Sequence, residues 1–284
     1  MFKKIFFAAA LLLASELIAK PVVIASIAPV EYLAKAVGGD KIEVQSLAKG
    51  DVHSYEPKPD DMKAVAKARI FIAAGLEFEE AWIPRFKASA KNLVVVKSDA
   101  KIAKLKEERG EQVEHDEKHE AHADPHVWLN PMLAITMARN ISDALIDMDK
   151  ANKDFYLENF QKLMNDLLAF DESAKESLAG LKNRKFVVYH PAWGYFAAHY
   201  DLEQISIERS GKEPKIDEMA STLKMIKDEN IKVIFADPNR SQKSAQILAS
   251  QTGAKVELLD PLGYNLLENL KIAVGAIKDA NSPK

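Results

Sequence analysis

The chain reads as an α/β protein of two lobes joined by one long helix, with a ligand cleft between the lobes. Three observations predict this. Short β-branched runs alternate with helical patterns, which is the mark of βαβ units and parallel sheets. The alternation occurs twice, once on each side of residues 151–181. That middle stretch has no Pro or Gly before Gly180 and carries Phe155, Leu163, Leu167 and Phe170 at helical spacing. At 1.5 Å per residue such a helix spans roughly 45 Å, enough to bridge two lobes. A length of 284 residues fits about two domains.

Residues 1–19 read as an export signal. Lys3 and Lys4 form the charged start, Ile5 to Leu13 are apolar, and Ala19 ends a small-residue stretch. The apolar run is too short to span a bilayer comfortably. Removing it, with its two Lys and one Glu, takes the formal charge from −3 to −4. A buried N-terminal helix is the alternative reading.

The first lobe is expected over 20–148. "PVVIASIAP" (21–29) reads as a strand and "VEYLAKAV" (30–37) as an amphipathic helix stopped by Gly38 and Gly39. "KIEVQSLA" (41–48) is a second strand. "KPDDMKAVAKA" (58–68) is a helix with acids in its first turn, where they suit the helix dipole. "RIFIAAG" (69–75) and "NLVVVK" (92–97) read as buried parallel strands. Residues 104–123 break the pattern: dense in Lys, Glu and His, they read as a solvated loop. A helix follows "NP" over 131–147. The connecting helix falls within 149–182, and the second lobe fills 183–284. Its strands are "KFVVYH" (185–190), "DLEQISIE" (201–208), "IKVIFAD" (231–237) and "AKVELLD" (254–260).

Composition narrows the function. The chain is 48% apolar and 29% charged, with a core's worth of hydrophobics and no basic excess pointing to nucleic acid. Beyond the leader no segment is apolar enough to enter a membrane. There is no cysteine, hence no thiolate ligand, no Cys nucleophile and no lipid-anchoring Cys. The expectation is an exported, soluble, unanchored periplasmic monomer. Any metal must be held by His and carboxylate.

Four residues stand where α/β sheets bind ligands, at the carboxyl ends of strands or on a rigid bend. They are His53 in "GDVHSYEP", His126 in "DPHVWLNP", His190 in "VVYHPAW" and Asp260 in "LLDPLG". Three imidazoles and a carboxylate suit a tetrahedral Zn²⁺ site. Isolated loop histidines are usually surface or turn residues, and Asp before Pro usually starts a turn, so spacing alone leaves the set open. His126 has the stiffest frame, between Pro125 and Trp128. His199, at a helix end in "FAAHYD", reads as structural.

In order, "GDVHSYEP", "DPHVWLNP", "HPAWGYF", "GKEP" and "LDPLG" resemble the periplasmic zinc-binding proteins of bacterial ABC importers, the ZnuA type, over almost the whole mature chain. The resemblance implies two Rossmann-like lobes, a rigid connecting helix and metal between the lobes. It implies His53, His126 and His190 as ligands, with Asp260 at the family's carboxylate position and water as the alternative fourth ligand. Some zinc-binding members are similar but have Glu directly before the first His; here that residue is Val52. Manganese-binding relatives usually have a carboxylate where this chain has His190, and imidazole favours zinc. Manganese or iron remains the alternative cargo. His115, His119 and His122 fit the charged loop of the zinc branch and suggest a weaker secondary metal site. The implied role is zinc capture and delivery to a membrane permease, without catalysis. A zinc hydrolase and an adhesin are the rival readings. "HEAH" (119–122) lacks the spacing of a zinc protease helix, and homologous proteins have carried adhesin labels.

Overall fold

The computed structural model describes residues 20–106, 123–208 and 216–281. The export-signal reading of 1–19, the "GKEP" motif and His115, His119 and His122 lie outside these residues.

Two four-stranded parallel sheets are present, one per lobe, and their strand orders match. In the first lobe the order is β2-β1-β3-β4, from β1 (Val22–Ala25), β2 (Glu43–Ser46), β3 (Ile70–Ala73) and β4 (Val94–Lys97). In the second it is β6-β5-β7-β8, from β5 (Lys185–Val188), β6 (Glu203–Ser206), β7 (Val233–Ala236) and β8 (Lys255–Leu258). Central β1 and β3 are apolar and sealed, as a strand flanked on both faces must be. "NLVVVK" differs from the buried strand its sequence suggests. As β4 it is an edge strand, and Val94 is about half exposed.

The strand at 21–29 is shorter than its apolar run. It stops at Ala25, and α1 (Ala28–Gly38) already starts ahead of Val30, with Pro29 in its first turn, where no N–H partner is needed. A helix absent from the sequence reading, α3 (Glu77–Ser89), fills the gap before β4. Pro84 and three acids hide its periodicity. The buried Glu79 starts it by accepting the amides of Ala74, Gly75 and Leu76 at 2.7, 2.8 and 3.0 Å. Helix α2 (Pro59–Val65) connects β2 to β3. In the second lobe α6 (Gly194–His199), α7 (Ile216–Asp228), α8 (Lys243–Thr252) and α9 (Leu266–Asn281) complete the layers.

Between the sheets run α4 (Pro131–Met148) and the long α5 (Lys153–Ala179). Tyr156, Phe160, Leu163, Leu167, Phe170, Ala174 and Leu178 recur every three or four residues along α5 and are all buried. This face packs on α1 and α4 in the first lobe and on α9 in the second. One apolar core therefore continues from Val30 and Met137 through Leu167 to Phe196 and Leu270, crossing from lobe to lobe. Arg184 fastens the far end of α5, donating to the carbonyls of Leu178 and Tyr200. His199 pairs with the buried Asp171 of α5 at 2.6 Å, the structural role its helix-end position suggests. No helix among the described residues is long and apolar enough to cross a membrane.

Candidate metal centre

His126 is framed from both sides. Asp124 folds back in a tight Asx turn, and its Oδ1 accepts the His126 amide at 2.9 Å and meets Nδ1 of the ring at 2.7 Å. Beyond it Val127, Trp128 and Leu129 form a buried turn of 3₁₀ helix. The Trp128 indole donates to the Pro261 carbonyl of the second lobe at 2.8 Å. Asn130 then caps α4 through the amides of Met132 and Leu133, and Pro131 fills the first helical position. The bend before the histidine and the helix after it leave the ring little freedom.

His190 sits two residues past β5 and is also buried. Its Nδ1 lies 3.1 Å from Oε2 of Glu208, two residues past the neighbouring β6. Arg240, on the turn after β7, donates from Nη1 to the same carboxylate oxygen at 2.8 Å. His53 is different. It is exposed at the cleft mouth, on the loop after β2, with buried Val52 as anchor and Asp51 Oδ1 accepting its amide at 3.1 Å.

The three Nε2 atoms converge. His190 Nε2 lies 3.2 Å from that of His53 and 3.4 Å from that of His126. A tetrahedral ion with Zn–N near 2.0–2.1 Å separates its ligand atoms by about 3.3–3.4 Å. Two edges of the tetrahedron are thus already at the right length. In His126 and His190 the outward nitrogen lies against a carboxylate, which orients the ring.

The electrostatics keep His53 and His190 neutral. Burial, then the neighbouring His126 and Arg240, holds His53 down to about 4, despite its exposed edge. The same causes, with His53 added, hold His190 well below the ordinary imidazole range. A neutral imidazole coordinates metal with no net loss of a proton, so these two rings are available to a cation at neutral pH.

Among the described residues the fold brings together His53, His126 and His190, and Asp260 does not join their group. Its Oδ1 accepts the Leu262 amide at 2.8 Å and the Asn239 side chain at 2.9 Å, the turn-starting role its place before Pro261 suggests. Asp124, Glu208 and Arg240 escape the sequence reading. Asp124 carried a signal, since Asp-Pro-His is an Asx-turn pattern. Glu208 ends a strand like His190 but nothing marks it as a partner, and Arg240 carries no signal at all. The base of the charged segment is beside the site: Lys106 bridges Ala123, and the Asp124 amide donates to the Leu105 carbonyl at 2.9 Å.

With this geometry the comparisons agree. The family model of ZnuA, the periplasmic component A of the zinc-uptake complex, matches residues 23–280. The high-affinity zinc uptake system protein ZnuA of Bacillus subtilis (strain 168) is 30% identical over 279 residues, covering 91% of this chain and 86% of its own. A putative metal-binding protein of Treponema pallidum (strain Nichols) is 33% identical over 243 residues, covering 82% of this chain and 77% of its own. A crystal structure of ZnuA superposes with a TM-score of 0.87 at 35% identity, over 93% of this chain and all of that one. A laminin-binding adhesin of Streptococcus agalactiae superposes at 0.80 with 27% identity, over 92% of this chain and 99% of that one. The fold, the trio of histidines between its lobes and the match over nearly the whole length lead to one conclusion: the chain belongs to the ZnuA family of zinc-uptake components, a binding and transport family and not a family of enzymes.

Proposed function

We propose that this protein captures Zn²⁺ in the cleft between its lobes and delivers it to the permease of an ABC importer in the periplasm, with residues 1–19 as the export signal. The observation that carries the reading is the convergence of three Nε2 atoms, two of them on rings braced by carboxylates. His53, His126 and His190 are the ligands. Asp260 supplies the fourth by turning its carboxylate toward the cluster, and a water serves until it does. Three neutral imidazoles favour zinc over manganese, which prefers oxygen. The work is binding and release, with no covalent step.

His115, His119 and His122 supply weaker, secondary zinc binding. The described residues that flank their segment, Lys106 and Ala123, bridge each other next to Asp124. A sequence dense in Lys, Glu and His with almost no apolar spacing offers no packed frame of its own, so ordering it on metal costs entropy and makes it the weaker site.

The test is calorimetric titration of chelator-stripped protein with zinc and manganese, beside a variant lacking residues 111–122. One tight zinc site is expected in both, with the extra weak binding absent from the deletion. Zinc at about 100 times its Kd adds about 2.7 kcal/mol of stability, read as a raised melting temperature. A melting curve unmoved by zinc overturns the reading. Loss of the tight site on deletion moves the ligands into the loop. Growth under zinc limitation, in cells dependent on this protein, tests delivery.

A further inference from the structure

Arg240 occupies a place that simple metal binding does not require. Its side chain, 15% exposed, reaches three groups. Nη1 lies 2.8 Å from Glu208 Oε2 and 2.5 Å from His190 Nδ1. Nη2 lies 3.7 Å from Asp51 Oδ2, in the first-lobe turn that holds the amide of His53.

Nδ1 of His190 therefore faces an acceptor and a donor together. A guanidinium only donates and a carboxylate only accepts. A neutral imidazole carries one N–H, so Nδ1 can satisfy one neighbour at a time. If Nδ1–H donates to Glu208, the Nε2 lone pair points into the cluster. If Nδ1 accepts from Arg240, the hydrogen sits on Nε2. The cluster itself favours the second arrangement when no cation is present. Three Nε2 lone pairs turned on one another at 3.2 and 3.4 Å repel, and an Nε2–H on His190 turns one of those contacts into a hydrogen bond. His126 has no such choice, because Asp124 at its Nδ1 is an acceptor.

We propose that Arg240 is a positioning residue that sets the tautomer of His190. In the metal-free protein it donates to Nδ1 and leaves Nε2–H in the cluster. Zinc binding moves that proton from Nε2 to Nδ1, where Glu208 accepts it, and Arg240 keeps only its carboxylate contacts. No proton is gained or lost overall by the ring. The inference rests on the zinc-binding reading above. It makes Arg240 a device that favours release: its return to Nδ1 withdraws a ligand lone pair.

The experiment is long-range ¹H–¹⁵N correlation of the full protein labelled on histidine, with His190 assigned from the His190→Gln spectrum. Metal-free protein is expected to show Nε2–H at His190, and zinc-loaded protein Nδ1–H. This comparison needs no change at Arg240. Metal-free Arg240→Met, which keeps bulk but cannot donate, is expected to show Nδ1–H and to bind zinc about 10-fold more tightly, the lower end of outer-shell effects. Arg240→Lys restores a donor and returns the tautomer toward Nε2–H. Metal-free wild type already at Nδ1–H, an Arg240→Met spectrum unchanged from wild type, or weaker zinc binding in that variant overturns the proposal. Wild-type protein that binds no zinc overturns the functional reading instead, and the metal-free tautomer still reports on Arg240.

Discussion

His126 and His190 are buried, and each has a carboxylate at its outward nitrogen; His53 is exposed, and the carboxylate beside it, Asp51, holds its backbone amide. The first two form a rigid half-site that crosses the lobes, one ring from each. The third closes it from the mouth. The difference teaches where affinity and access reside. A ring locked in advance loses little freedom when it binds, whereas a ring at the mouth leaves a path for the ion to enter and leave.

The largest effect should come from removing a ligand. An apparent zinc free energy of ~10–16 kcal/mol shared by the four proposed ligands makes each worth roughly 2.5–4 kcal/mol, or about 10²–10³-fold in affinity. His126→Ala and His190→Ala are expected to lose this much. His53→Ala should lose less, because water at the exposed position replaces the missing ligand. Competition titration against a chelator reads all three, and an equal loss across them would break the comparison.

Removing a brace is the next test. Asp124→Ala leaves His126 in place but frees its ring and its tautomer, and should weaken zinc about 10–100-fold. A loss below about threefold in the same titration would mean that the Val127–Leu129 turn alone holds the ring.

Acid sharpens the comparison through His53. Its folded value of about 4 lies below the ordinary 6.5, so protons should compete with zinc for the His53 ring only as pH approaches 4. Stability of the metal-free protein runs the same way. As pH drops through 6.5 the unfolded chain takes up protons on His53 and His190 that the folded chain refuses, so stability falls between pH 6.5 and about 4. Urea midpoints at pH 7 and pH 5 read this, and an unchanged midpoint would remove the claimed depression. The smallest effect on zinc belongs to His199→Ala. It should leave affinity unchanged and cost ~1–3 kcal/mol of stability, by taking a partner from buried Asp171.

Much of this was legible in the chain. The long helix showed because nothing between 151 and 179 interrupts an apolar stripe. Helix α3 did not, because Pro84 breaks its pattern and its start depends on Glu79 reaching back to three amides. His126 stood out because Pro125 and Trp128 are its sequence neighbours. Glu208 and Arg240 are 18 and 50 residues from His190, and no local pattern links them to it.

The sequence by itself determined the two α/β halves, the helix between them and the histidines offered at their edges. These follow from periodicity, breakers and residue chemistry, all local along the chain. Tertiary structure alone decided which nitrogens meet, which rings are sealed and neutral, and that Asp260 turns to Asn239 and Leu262 instead of the cluster. Those outcomes depend on the packing of two sheets across a shared core, where a few ångströms separate a ligand set from four unrelated loop residues, and residue order along a chain carries no such distances.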